Sequence, residues 1–197
     1  MASEITPLTL FLFTVMFMLF GAFLGSAPFL LLSVNLGKGG ELMDMSPQSL
    51  RIAAFINHLF TFAIPGFAAL YLCFQQRWWQ AVNERNFPGN NFGLMLVFCL
   101  VALPVVGLSA WINLQVPLPE WAMRPEEQTT EMLGKILSFD GPGSLAMALL
   151  TIAVAAGVGE ELIFRGILQK IVLGKLNHHI AIWIAAALFS LINLELA

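Results

Sequence analysis

Apolar stretches long enough to cross a bilayer alternate with shorter polar connections along the chain. A membrane-spanning helix needs roughly 20 mainly apolar residues, and helices satisfy their own backbone hydrogen bonds within lipid. The pattern predicts apolar segments at residues 8–34, 52–74, 92–114, 144–164 and 180–197. The sequence therefore predicts an all-α, polytopic membrane helix bundle of about five apolar segments.

The first segment and two of the connections add detail to this topology. Residues 8–34 lack a basic flank and exceed the ~7–15 apolar residues of a signal peptide, so we interpret them as a retained span. Trp78 and Trp79 follow an arginine, which is typical of an interfacial aromatic anchor. In the loop 115–141, Pro125 precedes two glutamates and then apolar residues at helical spacing. A short interfacial helix is expected there, with a solvated connector as the alternative.

Composition and charge narrow the class of protein. The chain of 197 residues is 58% hydrophobic and 11% charged, whereas soluble domains carry about 25% charged residues. A net charge of −3 argues against a nucleic-acid partner, which requires a basic surface, and favours the lipid bilayer as the environment. Loops 75–91 and 165–179 hold five Lys and Arg residues against four in the other loops, which favours a cytoplasmic N-terminus.

The stretch GVGEELIFRGIL, residues 157–168, places three ionisable groups in an otherwise apolar run. In a helix, Glu161 and Arg165 are i,i+4 partners, with the acid in the favourable first position. Glu160 projects about 100° away and has no partner on its own helix. Because a charge in hydrocarbon costs roughly 2.5–3.5 kcal/mol, Glu160 requires another helix or cavity water, and is a candidate functional residue. Alternatively, the segment ends among headgroups and both acids are simply solvated.

Small residues precede this stretch and favour close helix packing. They are Ala153, Ala156, Gly157 and Gly159.

The histidines and cysteines provide weaker signals. His178 and His179 lie in a polar turn, where solvated interfacial residues are expected. His58 lies within the second apolar segment and either lines a cavity or hydrogen-bonds to a neighbouring helix. Cys73 and Cys99 lie in separate apolar segments and do not form a disulfide framework. No HExxH-type spacing occurs, so the sequence by itself does not build a metal site.

The residues EELIFR at 160–165 resemble the EExxxR motif of the CPBP intramembrane proteases, a family of CAAX prenyl endopeptidases and bacteriocin-processing or self-immunity proteins. The flanking GVGEELIFRGILQ is similar to bacterial members, which implies the bacterial inner membrane. The resemblance covers about residues 145–197. It implies two parts, 1–141 with three spans and an interfacial loop, and 142–197 with the protease-like core, within a truncated bundle of the eight-helix type.

The resemblance also implies a chemistry and a set of partners. Glu160 would be the general base that activates water, and Glu161 would support the site together with Arg165. The substrate would be a peptide or a prenylated protein, cleaved at or within the membrane. Zinc is a cofactor that the resemblance allows, but no ligands in this sequence support it, so the cofactor stays unknown.

The second motif of the family is altered. The family has FxxxH on the next helix, and this chain has FSLIN, so Phe189 is present and Asn193 replaces the histidine. Asparagine forms hydrogen bonds but cannot accept and return a proton as imidazole does. A later histidine motif has no counterpart, and the last apolar segment contains Glu195 and ends without a polar flank. We therefore expect a fragment or truncated gene product with weak or no activity. Alternatively, the last segment reaches the membrane interface and Glu195 is simply solvated.

Two other classes of function remain open at this stage. One is a non-catalytic membrane binding or immunity protein that keeps the family fold, which the replacement by Asn193 favours. The other is a transporter fragment in which Glu160 serves as a proton or substrate site.

Overall fold

The structure is a computed structural model and describes residues 6–35, 45–82, 91–113, 115 and 129–193. Helices form nearly all of this part of the chain. Before the motif segment they are α1 (Pro7–Gly25), α2 (Ala27–Asn35), α3 (Pro47–His58), α4 (Ile64–Phe74), α5 (Trp78–Val82), α6 (Asn91–Asn113) and α7 (129–136). After them come α8 (Pro142–Leu149), α9 (Gly157–Glu161) and α10 (His178–Asn193).

Short irregular stretches join several of these helices into longer rods. A 3₁₀ turn, Gln75–Arg77, joins α4 to α5, and π-helical stretches lie at Leu59–Ala63, Leu150–Ala156 and Leu162–Val172. Four rods are long and apolar enough to cross a membrane: Pro7–Leu31, Pro47–Phe74, Phe92–Ile112 and Pro142–Val172. A shorter apolar helix, His178–Ile192, follows them. The prediction of an all-α bundle with about five apolar segments is confirmed.

The second rod, Pro47–Phe74, starts with a side-chain cap and contains a proline within it. The Ser46 hydroxyl accepts a hydrogen bond from the Ser49 backbone N–H at 3.2 Å, and Pro47 occupies the first helical turn, where its missing N–H costs nothing. Pro65 has no N–H to donate and its ring crowds the preceding turn. The π-helical turn Leu59–Ala63 lies directly before it and widens the helix there.

The rod Pro142–Val172, which we call the motif helix, is longer than predicted. The predicted span, residues 144–164, ended just after the glutamates, but the helix continues to Val172. Its last part buries Ile163, Phe164, Ile167 and Leu168 on one face, so bundle packing extends the helix beyond the charged residues. Glu160 consequently lies twelve residues before the helix end.

Contacts between the rods define their directions. Leu10, at the start of α1, packs with Leu70 and with Ile167, near the ends of the second rod and the motif helix. Gly25, near the end of α1, meets Asn57. The first rod is therefore antiparallel to the second rod and to the motif helix, which run parallel to each other. Phe164 contacts Phe189, which makes α10 antiparallel to the motif helix.

These directions give the bundle two ends, the N-terminal end and the opposite end. The N-terminal end contains Leu10, α5 and the turn between Val172 and His178. The opposite end contains the start of the second rod, α7 and the start of the motif helix. This alternation is what successive crossings of a bilayer require.

A helix predicted in the loop 115–141 is present as α7, residues 129–136, while Pro125 and the two glutamates after it lie outside the described residues. Ile136 is buried with Met45 and Leu50, and Met132 packs against this cluster. Leu133 and Leu137 are exposed on the other face. The helix is thus amphipathic and covers the opposite end of the bundle.

The rod Phe92–Ile112, within α6, differs from the other rods. It is the most apolar of them, yet none of its most apolar window is buried against the rest of the described chain. Its large side chains, among them Phe98, Leu100 and Trp111, are exposed. Its hydropathy therefore indicates a membrane location, while its protein contacts remain few.

Candidate active site

The helix carrying the glutamates is irregular, and this irregularity arranges the polar side chains. Glu160 and Glu161 lie in α9, one short α-helical segment between two π-helical stretches. Positions four apart drift around a regular α-helix, whereas the wider i→i+5 turn keeps them closer to one line. Gly157, Glu161, Arg165 and Gln169 accordingly share one face and line the same cavities. A regular α-helix, which the sequence predicts here, would not place these four side chains in one line.

A cavity of about 290 Å³ lies between the motif helix and α10. Glu160, Glu161, Arg165 and Phe189 all line it, so the structure brings four of the five predicted site residues together. The Phe189 ring meets the edge of Phe164, with ring centroids 5.0 Å apart, and this contact holds the two helices together beside the cavity. Asn193 is the last residue of α10, and its side chain lies outside the described part of the chain.

The two glutamates differ in their surroundings. The Arg165 guanidinium lies 3.1 Å from a Glu161 carboxylate oxygen, so the predicted ion pair is present. This pair is accessible, because 53% of the Glu161 side chain and 75% of the Arg165 side chain are exposed. Glu160 is half-buried and takes part in a polar or electrostatic interaction of its own. One acid is therefore tied to an arginine on its own helix, and the other is more enclosed.

The small residues before the motif divide between two faces. A Cβ added to Gly159 would lie 2.9 Å from the Phe62 Cβ and 3.1 Å from the Ala63 nitrogen, so only glycine allows this approach of the second rod. A Cβ on Gly157 would meet nothing within 4 Å, and Ala153 is exposed. The prediction of close packing is thus correct for Gly159, while Ala153 and Gly157 line open space instead.

A second and larger groove, of about 960 Å³, extends along the motif helix toward the N-terminal end. Its walls include Trp78, Trp79 and Val82 of α5, and it reaches His178 at the start of α10. The Lys170 ammonium group donates a hydrogen bond to the Val82 carbonyl at 3.2 Å, which links α5 to the motif helix. Trp78 packs edge-on against Phe67, with ring centroids 5.3 Å apart, so the predicted aromatic anchor forms one wall of the groove.

The three histidines lie in two different surroundings, one within the bundle and two at its surface. The His58 ring stacks on Phe62 at 6.0 Å, and within the described residues its buried Nδ1 has no hydrogen-bond partner. His178 and His179 are exposed at the start of α10, as predicted for solvated residues. Among the residues that the structure describes, no three His, Cys, Asp or Glu side chains come together as metal ligands do. The donor set of these described residues therefore does not fit a metal ion.

Sequence reasoning missed Arg51, which it counted only as a loop cation. Arg51 is 2% exposed and lies in α3, where its Nε donates to the Ile136 carbonyl at 2.9 Å and an Nη donates to the Ser138 carbonyl. These carbonyls lie at the C-terminal end of α7, where orphan acceptors and the negative pole of the helix dipole favour a cation. The detectable signal was an arginine within the first turns of an apolar helix that Ser46 and Pro47 begin.

The Arg51 contacts extend to the motif helix. The Thr151 hydroxyl lies 3.3 Å from the Arg51 carbonyl and 2.9 Å from the Met147 carbonyl. Thr151 is almost fully buried at this position. We refer to Arg51, Thr151 and the Ile136 and Ser138 carbonyls as the Arg51 node. This node joins the second rod, α7 and the motif helix at the opposite end of the bundle.

Comparison with known proteins adds one match. The family model described as type II CAAX prenyl endopeptidase Rce1-like matches residues 142–196, which contain the motif helix and α10. No curated protein and no solved structure matches the chain. The matched residues are those that enclose the smaller cavity, and the match supports the resemblance to the CPBP proteases that the motif indicates. The bacteriocin-processing and self-immunity branch is not specified by it.

Proposed function

We propose that this chain is an integral membrane endopeptidase of the CAAX-protease-like type, which hydrolyses peptide bonds with water activated by Glu160. The observation that carries the proposal is the cavity between the motif helix and α10. It gathers Glu160, Glu161, Arg165 and Phe189 within the segment that the family model matches. A half-buried carboxylate beside a cavity, inside an apolar bundle, is a candidate for acid–base chemistry.

The proposed reaction has two proton transfers. Glu160 takes a proton from water, and the resulting hydroxide attacks the carbonyl carbon of the scissile peptide bond. The tetrahedral intermediate carries a negative oxygen, which hydrogen-bond donors in the site must stabilise. Protonated Glu160 then returns its proton to the leaving nitrogen as the carbon–nitrogen bond breaks, which yields a carboxylic acid and an amine.

The other site residues have supporting roles in this proposal. Arg165 pairs with Glu161 at 3.1 Å and fixes the side of the helix on which both side chains project. Phe189 sets the spacing of α10 from the motif helix through its contact with Phe164. Asn193 would supply one hydrogen bond where the family has a histidine, so we expect slow hydrolysis.

Substrate class and orientation belong to the same proposal. A site of this kind within four long apolar helices suits peptides that the membrane holds, either prenylated or membrane-spanning. We place the protein in a bacterial inner membrane with the N-terminus in the cytoplasm. In support, the N-terminal end of the bundle carries Arg77, Lys170 and Lys175, as the positive-inside rule expects. Labelling of a cysteine at position 175 from outside intact cells would contradict this orientation.

The test of the activity compares Glu160→Gln with Glu131→Gln, a control on exposed α7 whose partner is Lys135. Purified variants in lipid nanodiscs are given prenylated and transmembrane peptides, and cleavage is followed by mass spectrometry. Because slow hydrolysis is expected, each variant is also made with Asn193→His. Glu160→Gln should lower the rate about 100-fold or more, and Glu131→Gln should leave it unchanged.

Two outcomes would overturn the proposal. One is cleavage that survives Glu160→Gln. The other is a folded Asn193→His protein that cleaves neither class of peptide.

A further inference from the structure

The two cavities on the motif helix adjoin each other. They share Gly157, Glu161, Arg165 and Gln169 as lining residues. The smaller cavity adds Glu160, and the larger groove continues past Gln169 to Lys170 and Leu173 at the N-terminal end. A ligand that reaches Glu160 from the N-terminal end therefore passes Gln169.

Gln169 differs from the other shared residues in its chemistry. Glu161 and Arg165 satisfy each other as an ion pair, and Gly157 has no side chain. Gln169 is half-buried, and within the described residues no hydrogen bond involves its amide. A primary amide has two N–H donors and a carbonyl acceptor, and leaving it unpaired when a ligand covers it is costly.

The ligand that an amide of this kind matches is a peptide backbone. An extended peptide presents one N–H and one C=O per residue, whereas the charged neighbours would select ions instead. Gln169 follows Glu160 by nine positions, which corresponds to at most roughly 13 Å along the helix, because the π-helical stretch Leu162–Val172 rises less per residue than an α-helix. An extended chain advances about 3.3 Å per residue, so four residues span that distance.

We propose that Gln169 is a substrate-binding residue whose amide hydrogen-bonds the backbone of an extended peptide about four residues from the bond that is cut. This inference rests on the proposed function, because Glu160 defines the position of the cut. It assigns the larger groove to the polypeptide on one side of the scissile bond. It also predicts that peptides too short to reach Gln169 bind more weakly.

The experiment uses a peptide that the Asn193→His protein cleaves, with the cut mapped by mass spectrometry. Single backbone amides, three to five residues from the cut on either side, are replaced by esters, which removes one N–H at a time. Gln169→Leu keeps the approximate size of the side chain and removes its hydrogen bonds. Gln115→Leu is the matched control, since Gln115 lies beyond α6 and contacts the Trp111 carbonyl.

Gln169→Leu should raise KM about 2- to 10-fold, the worth of one or two hydrogen bonds, and change kcat less than twofold. A peptide in which one particular backbone amide is replaced by an ester should bind more weakly to the parent protein. The same replacement should have no effect on binding to Gln169→Leu. The same comparison is made by peptide affinity in the Glu160→Gln background, so that the result does not depend on turnover.

The failures of the two proposals are distinguishable. If Glu160→Gln abolishes cleavage while Gln169→Leu leaves KM and peptide affinity unchanged, the subsite is wrong and the protease is retained. If ester effects are identical with and without Gln169, the subsite is also wrong. If cleavage survives Glu160→Gln, the proposed function itself fails.

Discussion

The motif helix has one packed face and one open face, and they hold different kinds of residue. The packed face buries Thr151, Gly159 and Ile163 against the second rod, with a backbone approach that only glycine permits. The open face carries Gly157 and Arg165 along two adjoining cavities. The same helix thus serves as the centre of the bundle on one side and as the wall of a candidate active site on the other.

The two arginines illustrate what this difference means. Arg51 is buried and donates hydrogen bonds to backbone carbonyls at the end of another helix, so tertiary contacts stabilise its charge. Arg165 is 75% exposed and contacts a carboxylate one turn away on its own helix. We infer that Arg51 contributes mainly to stability and Arg165 mainly to the site.

The largest effect is expected at the Arg51 node. Arg51→Met leaves the buried Ile136 carbonyl and the half-buried Ser138 carbonyl without the Arg51 donors and should lower the free energy of unfolding by about 2–5 kcal/mol. Arg51→Lys should lose less of the free energy of unfolding, because it keeps a charged donor. It should still be less stable than the parent protein, because one ammonium group does not reproduce the forked donors of a guanidinium. The measurement is unfolding by SDS in mixed micelles. Arg165→Met is the comparison and should cost less than about 1 kcal/mol; an equal loss from both variants would contradict the division.

An intermediate effect is expected from a pair of glycines two residues apart. Gly159→Ala pushes a methyl group into Phe62 and the Ala63 backbone and should destabilise the bundle by about 1–3 kcal/mol. Gly157→Ala meets open space and should stabilise the helix by up to about 1 kcal/mol. Thermal unfolding in detergent measures both. Opposite signs are expected, and the same sign for both would show that the open face is packed in the membrane.

The smallest effect is expected for the Glu161–Arg165 pair. Because both side chains are largely exposed and line cavities that the proposed hydrolysis requires to be wet, their coupling in a double-mutant cycle should be about 0.5 kcal/mol or less. Glu161→Gln, Arg165→Leu and the double variant are compared by SDS unfolding. A coupling of several kcal/mol would mean that the pair faces hydrocarbon, and it would argue against a hydrated site.

Local features of the sequence account for much of the architecture. The apolar segments were recognised because their length and composition must match a bilayer. The Glu161–Arg165 pair was recognised because i,i+4 positions meet on any helix. Phe189 was placed beside the glutamates by the resemblance to the CPBP proteases, and the structure brings it to the same cavity. The roles of these residues in catalysis remain predictions.

Hydropathy did not reveal how the segments pack. The most apolar rod, Phe92–Ile112, buries none of its most apolar window against the rest of the described chain, whereas the less apolar motif helix contributes to the core. Hydropathy measures transfer of a segment into lipid, and lipid is as apolar as the side chains that compete for contact. Shape complementarity therefore decides packing, as at Gly159, and one segment by itself does not contain that information.

The sequence by itself determined the all-α membrane class, the approximate positions of the apolar segments and the acid–arginine pair, because each depends mainly on residues within one helix. Only the tertiary structure decided that Arg51 is buried, that Gly157 is open and that Gln169 lies on both cavities. Arg51 finds its acceptors 85 and 87 residues away in the chain. Burial and cavities are properties of several helices together, so they arise from contacts that no single segment specifies.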